Sequence, residues 1–175
     1  MRVNSNPDLK KHLDEVIHKI ASAQEDDGYL YTNRTINPQK AADGAGKVRW
    51  TGLEIFHELY NVGHLYEAAV AHYEATGERK LLDVAIKNAN LVESVFGPNK
   101  NIGVPGHQEI EIGLVKLYRV TGEKKYLDLA KFFIDQKGRN KNKRIYNDFK
   151  KTNPWGEDEF DLDYWQGEYA QDHKP

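Results

Sequence analysis

The stretch His57-Glu-Leu-Tyr-Asn-Val-Gly63-His64-Leu-Tyr-Glu-Ala-Ala-Val-Ala-His-Tyr-Glu-Ala-Thr76-Gly77 decides the fold. It reads as a short helix, a break at Asn61-Val62-Gly63, and an amphipathic helix opening at His64. Leu65, Ala68, Ala69, His72 and Tyr73 recur at helical spacing along that second helix. Gly77 supplies the left-handed residue that ends many helices. A partial echo follows in Pro105-Gly-His107-Gln-Glu-Ile-Glu-Ile-Gly-Leu-Val-Lys-Leu-Tyr-Arg-Val-Thr121-Gly122. Thr76-Gly-Glu-Arg-Lys-Leu-Leu-Asp-Val-Ala85 matches Thr121-Gly-Glu-Lys-Lys-Tyr-Leu-Asp-Leu-Ala130 at an offset of 45 residues. Such a period suits repeated helix pairs, which stack in open solenoids or close into α/α toroids.

Outward from the repeat, Asn6-Pro7-Asp8 is a strong helix start, with Asn as N-cap, Pro at the first position and an acid in the first turn. Leu9, Leu13, Val16, Ile17 and Ile20 give that helix its stripe, to about Gln24. Residues 32–49 read as an irregular loop, and Thr51-Gly-Leu-Glu54 fits a capping box. Leu82, Ala85, Ile86 and Ala89 mark a helix to about Val95. Ile110, Leu114, Leu117 and Tyr118 mark the next, and Leu127, Ala130 and Ile134 the last, ended by Gly138. The fold class is therefore all-α, with helical hairpins over residues 8–138. Residues 139–175 open with a basic loop and read as a long irregular segment. It is rich in aromatics (Trp155, Phe160, Tyr164, Trp165, Tyr169) and acids (Glu157, Asp161, Asp163). Aromatic faces beside carboxylates are compatible with sugar binding.

Composition bounds the function. The chain has 175 residues, 39% of them hydrophobic and 30% charged, with a net charge of −2. That charge gives no drive towards nucleic acid or acidic membrane. No apolar run approaches the roughly 20 residues that cross a bilayer. Met1–Asn6 shows no apolar signal segment, which favours the cytoplasm. The sequence has no cysteine, so thiolate metal sites and cysteine nucleophiles are absent from it.

His64 and His107 are the leading site candidates. Each follows a glycine near the start of the first helix of a hairpin, so a stacked repeat places both on one rim. Two imidazoles on one mouth can hydrogen-bond a polyol; the plainer alternative is capping or packing. Glu109 is the acid best placed to share that rim, although first-turn acids also suit the helix dipole. Glu109 and Glu111 stand two apart and point in different directions. Trp50 and the aromatics of residues 155–169 are candidates to complete the pocket. His57-Glu58 invites a His-Glu-x-x-His metal reading, but Asn61 stands at the fifth position. Asp161-x-Asp163 lacks the glycine of a calcium loop, with Gln166 in its place. No metal ligand is assigned, and spacing singles out no catalytic carboxylate pair.

Several of these motifs together resemble glycoside hydrolase family 127, the β-L-arabinofuranosidase family. They are His57-Glu-Leu-Tyr-Asn-Val-Gly-His64-Leu, Ala68–Tyr73, Thr76-Gly, Pro105-Gly-His-Gln-Glu-Ile-Glu111, Leu127–Asp135 and Tyr169-Ala-Gln-Asp-His173-Lys-Pro. The resemblance runs from about Leu13 to Pro175. It implies that residues 1–175 are part of an (α/α)6 barrel catalytic domain, with the remainder of the barrel downstream. It further implies an arabinose-containing oligosaccharide or glycan as partner, with His64 and His107 among the residues touching the sugar. The family's retaining hydrolysis uses a glutamate acid/base and a cysteine nucleophile on a cysteine-rich zinc site. Those residues match nothing in this chain, which is therefore expected to hold sugar but to be inactive alone, with no cofactor of its own. The rivals are a helical-repeat protein-binding module, which expects a polar capping repeat, and another α/α-barrel sugar enzyme with its own mouth carboxylates.

Overall fold

Asn6 opens the first helix as its sequence suggests: its side chain accepts from the Asp8 and Leu9 N–H groups, both at 3.1 Å. The computed structural model describes residues 6–38, 45, 48–50, 53 and 56–136. Within them lie α1 (Pro7–Ala23), α2 (Thr32–Thr35), α3 (Glu58–Thr76), α4 (Lys80–Val95), α5 (Ile110–Thr121) and α6 (Lys124–Gln136). No strand occurs among the described residues. The Thr51–Glu54 capping box and the segment 139–175 lie outside them. The one-turn α2 falls inside the stretch read as wholly irregular and carries Asn33.

The helices form two layers. α3 packs most extensively on α5 and makes one layer with it; α4 is packed between α1 and α6 in the other. α3 to α4 and α5 to α6 are the two repeated hairpins, so the chain builds an arc of a helical α/α barrel. Their turns are alike in detail. Gly77 and Gly122 have φ of 77° and 75°, and each donates its N–H back to a tyrosine carbonyl, Tyr73 and Tyr118, at 2.8 Å. Thr76 and Thr121 hydroxyls cap the N–H of Glu78 and Glu123. The repeated Thr-Gly-Glu thus encodes one turn used twice.

The break expected at Asn61-Val62-Gly63 does not occur. α3 runs unbroken from Glu58, and Gly63 serves its contact with α5 instead. A Cβ on Gly63 would lie 2.7 Å from the Ile110 nitrogen, and one on Gly113 would lie 2.7 Å from the Gly63 carbonyl oxygen. Tyr66 meets Gly113, and Glu67 pairs with Lys116. These partners climb both helices together, so α3 and α5 run parallel with their backbones nearly touching. The buried face of α3 is correspondingly turned from the expected stripe: Leu59, Val62, Tyr66, Ala69 and Val70 are buried, and Ala68 is exposed. On α6 the buried set is Tyr126, Leu129, Ala130, Phe132 and Phe133, while Ile134 is 57% exposed. On α1 only Ile17 of the stripe is buried, with Leu9 at 62% exposure. The α4 and α5 stripes match expectation, with Leu82, Ala85, Ala89, Ile110, Leu114 and Leu117 all buried.

Buried polar links tie the layers. The Tyr66 hydroxyl donates to Asn88 Oδ1 at 2.6 Å, and Asn88 Nδ2 donates to the Gly28 carbonyl at 2.9 Å. Gly28, at φ 100°, lies so close to the Lys87 carbonyl that a Cβ would come within 2.6 Å.

Alanine at position 63 or 113 sets helix propensity against contact. Propensity favours alanine by about 1 kcal/mol. The clash falls on backbone atoms, which no rotamer change relieves, and overpacking of this kind costs roughly 1–3 kcal/mol or more. Gly63→Ala and Gly113→Ala are therefore expected to lower unfolding free energy in urea titration. An unchanged or raised midpoint would show that the helices do not approach as described.

Candidate functional site

Because α3 is continuous, His57, Tyr60 and His64 fall on one helix face at spacings of three and four. The Tyr60 ring meets His64 edge-on at 4.5 Å and His107 at 5.2 Å. His57 stacks on His107, with centroids 5.1 Å apart and planes at 25°. His57 caps α3 in the left-handed conformation at φ 60°, which turns its ring towards the α5 entrance. His107 sits in the loop before α5, so the two helices present a cluster of three imidazoles and one phenol ring.

His64 Nδ1 lies 3.0 Å from Glu109 Oε1, with half of the His64 side chain open to solvent. Their closeness follows from the 45-residue offset, which sets His64 level with Glu109 on the parallel helix. Glu67, one turn after His64, is paired with Lys116. Burial, then the neighbouring Glu67, push the Glu109 carboxyl above its ordinary value. The Lys116 ammonium holds Glu67 below its own. His64, Glu67 and Glu109 each offer one donor atom, all within 4.8 Å of one another. Lys116 already places a positive charge on that group.

Of the four residues singled out in the sequence, His64, His107 and Glu109 are brought together. Trp50 is placed differently: its ring stands edge-on between Tyr29 and Phe96, at 5.2 Å and 5.4 Å, packed against the core. Glu111 is buried in the first turn of α5, so the two acids do diverge. Tyr60, Glu67 and Lys116 were missed, and His57 was weighed only as a metal ligand. The supposed break at residues 61–63 hid the helical spacing that joins His57 and Tyr60 to His64.

Beneath the cluster lies Glu58, 1% exposed. Its carboxyl accepts from the Tyr29 hydroxyl and, at 3.0 Å, from the Trp50 N–H. Burial pushes this carboxyl up to about 7, against the lowering effect of those two hydrogen bonds. A separate cavity of about 440 Å³ opens between α1 and α3. Its wall is mainly apolar, with Ile20, Ala23, Leu30, Tyr31, Val62 and Leu65, and suits a polyol poorly.

The family model described as β-L-arabinofuranosidase, GH127 catalytic domain, matches residues 1–175. The chain is similar to the non-reducing end β-L-arabinofuranosidase of Bifidobacterium longum subsp. longum. Identity is 42% over 137 residues, which is 77% of this chain and 20% of that protein. Among solved structures it is similar to a GH127 β-L-arabinofuranosidase from Geobacillus stearothermophilus T6. There the TM-score is 0.80 at 40% identity, covering 94% of this chain and 25% of that one. A second structure, a GH127 β-arabinofuranosidase, matches with TM-score 0.74 and 52% identity over 79% of this chain and 22% of its own. The chain thus spans about a fifth to a quarter of the length of these relatives.

A carboxyl that holds its proton more tightly when folded stabilises the fold at low pH. For Glu58 that contribution is fully present below about 4.5 and is lost as pH rises through about 7. The span corresponds to on the order of 3 kcal/mol. Glu58→Gln removes this titration, so the difference in unfolding free energy between wild type and variant should change across that window. Parallel pH profiles would contradict it.

Proposed function

The chain belongs to the GH127 β-L-arabinofuranosidase catalytic-domain family, and on that premise we propose that it supplies the sugar-holding face of an arabinofuranosidase barrel. The observation that carries this reading is the gathering of His57, Tyr60, His64 and His107 at one end of two parallel helices, with Glu109 beside His64. With Nδ1 directed at Glu109, His64 keeps Nε2 for a sugar hydroxyl. His107, stacked on His57, is held at a fixed angle for a second hydroxyl. Tyr60 offers an aromatic edge between them. Hydrogen bonds of this kind each contribute roughly 1 kcal/mol net, so two of them orient a furanose more than they anchor it.

Bond cleavage lies beyond these groups. The retaining hydrolysis implied by the resemblance needs an acid/base and a nucleophile, and we assign neither to this chain. A cysteine-held zinc does not fit these residues, since the sequence contains no thiolate donor. The rival helical-repeat module expects a polar outer face on its terminal repeat. α1 instead exposes Leu9, Leu13 and Val16, an apolar face suited to further packing.

Histidine-selective NMR of this chain titrated with methyl β-L-arabinofuranoside tests the reading. The ring signals of His64 and His107 should move, with those of His12, His18 and His72 unchanged. Uniform shifts, or none at any concentration, would overturn it. The chain alone should release no nitrophenol from a nitrophenyl β-L-arabinofuranoside; measurable turnover would place a nucleophile within it.

A further inference from the structure

We propose that Glu58 is a positioning residue for the histidine cluster, tying the loop before α3 to the turn after α1 so that His57 is held against His107. Two non-glycine residues among those described take the left-handed backbone, Trp50 at φ 66° and His57 at φ 60°. They stand seven residues apart in the sequence, and Glu58 touches both. It follows His57 in the chain, and its Oε2 accepts the Trp50 N–H at 3.0 Å. Its Oε1 accepts from the Tyr29 hydroxyl. An unusual backbone conformation persists only where its surroundings over-determine it; these two bonds hold the residue that follows His57, and the His57 carbonyl accepts from the Asn61 N–H at 2.9 Å.

The surroundings explain why a carboxyl stands at a buried position that an apolar side chain would suit. The part-buried Trp50 N–H needs an acceptor, and so does the buried Tyr29 hydroxyl; a single carboxylate serves both. The groups facing Glu58 are Tyr29, Arg34 and Arg49, with Tyr31 also within its electrostatic reach. Arg49 lies over the Tyr29 ring at 4.0 Å and is bonded to Glu25 and Asp27, which fixes the other side of the turn. Glu58 therefore joins three segments: residues 25–29, the loop at Trp50, and the first turn of α3. The side chain of His57 makes no capping bond to its helix and is left to stack on His107.

That this stack matters for sugar rests on the proposed function; that Glu58 maintains it does not. The test is therefore made without sugar, on Glu58→Gln, Glu58→Leu and Tyr29→Phe in the full chain. Glutamine can accept from the Trp50 N–H through its oxygen and donate to Tyr29 through its nitrogen, so it should preserve the ring-to-ring NOEs of His57 with His107 and Tyr60. Leucine offers no acceptor and should abolish them while helical circular dichroism is retained. Tyr29→Phe, which leaves the core ring in place should leucine fail to fold, should shift and broaden the His57 signals. A merely structural Glu58 would lower the melting temperature without altering these NOEs. NOEs unchanged in both the leucine and phenylalanine variants overturn the proposal. Failure of wild type to bind the arabinofuranoside removes the sugar reading and leaves this one intact.

Discussion

The backbone contact between α3 and α5 is the constraint on which the rest depends. Gly63 and Gly113 have no side chains, and a Cβ on either would collide with main-chain atoms of the facing element, at 2.7 Å in each case. Helices carrying ordinary side chains stand 8–10 Å apart; here the missing side chains permit a closer crossing. That crossing fixes register as well as distance. It sets His64 level with Glu109 and Glu67 with Lys116, and brings the Tyr60 ring to His107. A slip of one residue along either helix would rotate these groups onto different faces.

A second set of contacts holds the approach to α3. Tyr66, Asn88 and the Gly28 carbonyl form a buried chain from α3 through α4 to the turn after α1. Glu58 extends that anchoring to the loop at Trp50. Buried polar groups of this kind specify one arrangement because each loses its partner in any other. Both sets of contacts converge on the same end of the fold, where His57, His64 and His107 emerge.

Much of the fold was legible from residues alone. Asn6 as N-cap, the twin Thr-Gly-Glu turns and the stripes of α4 and α5 all rest on local chemistry, which a sequence displays directly. Gly63 was not legible as it stands. Glycine weakens a helix locally, and the reading of a break followed from that; the tertiary contact that overrides it lies 47 to 50 residues away, at Ile110 and Gly113. The same error paired His64 with His107 as equivalent positions, whereas the 45-residue offset matches His64 to Glu109. The two histidines do share one site, but through Tyr60 and His57 rather than by repeat symmetry. Trp50 was a candidate to complete the pocket, and its edge-on packing between Tyr29 and Phe96 could not be inferred from composition. The stripes of α1 and α6 misled because apolar spacing does not say which neighbours cover it. Family resemblance reached the same histidines by another route.

A crystal structure of this chain with a bound β-L-arabinofuranoside tests the central claim most directly. The account predicts the furanose at the α3–α5 entrance, with hydroxyls about 3 Å from His64 Nε2 and from the His107 ring. Sugar density confined to the groove between α1 and α3, or to any face away from these imidazoles, would contradict it.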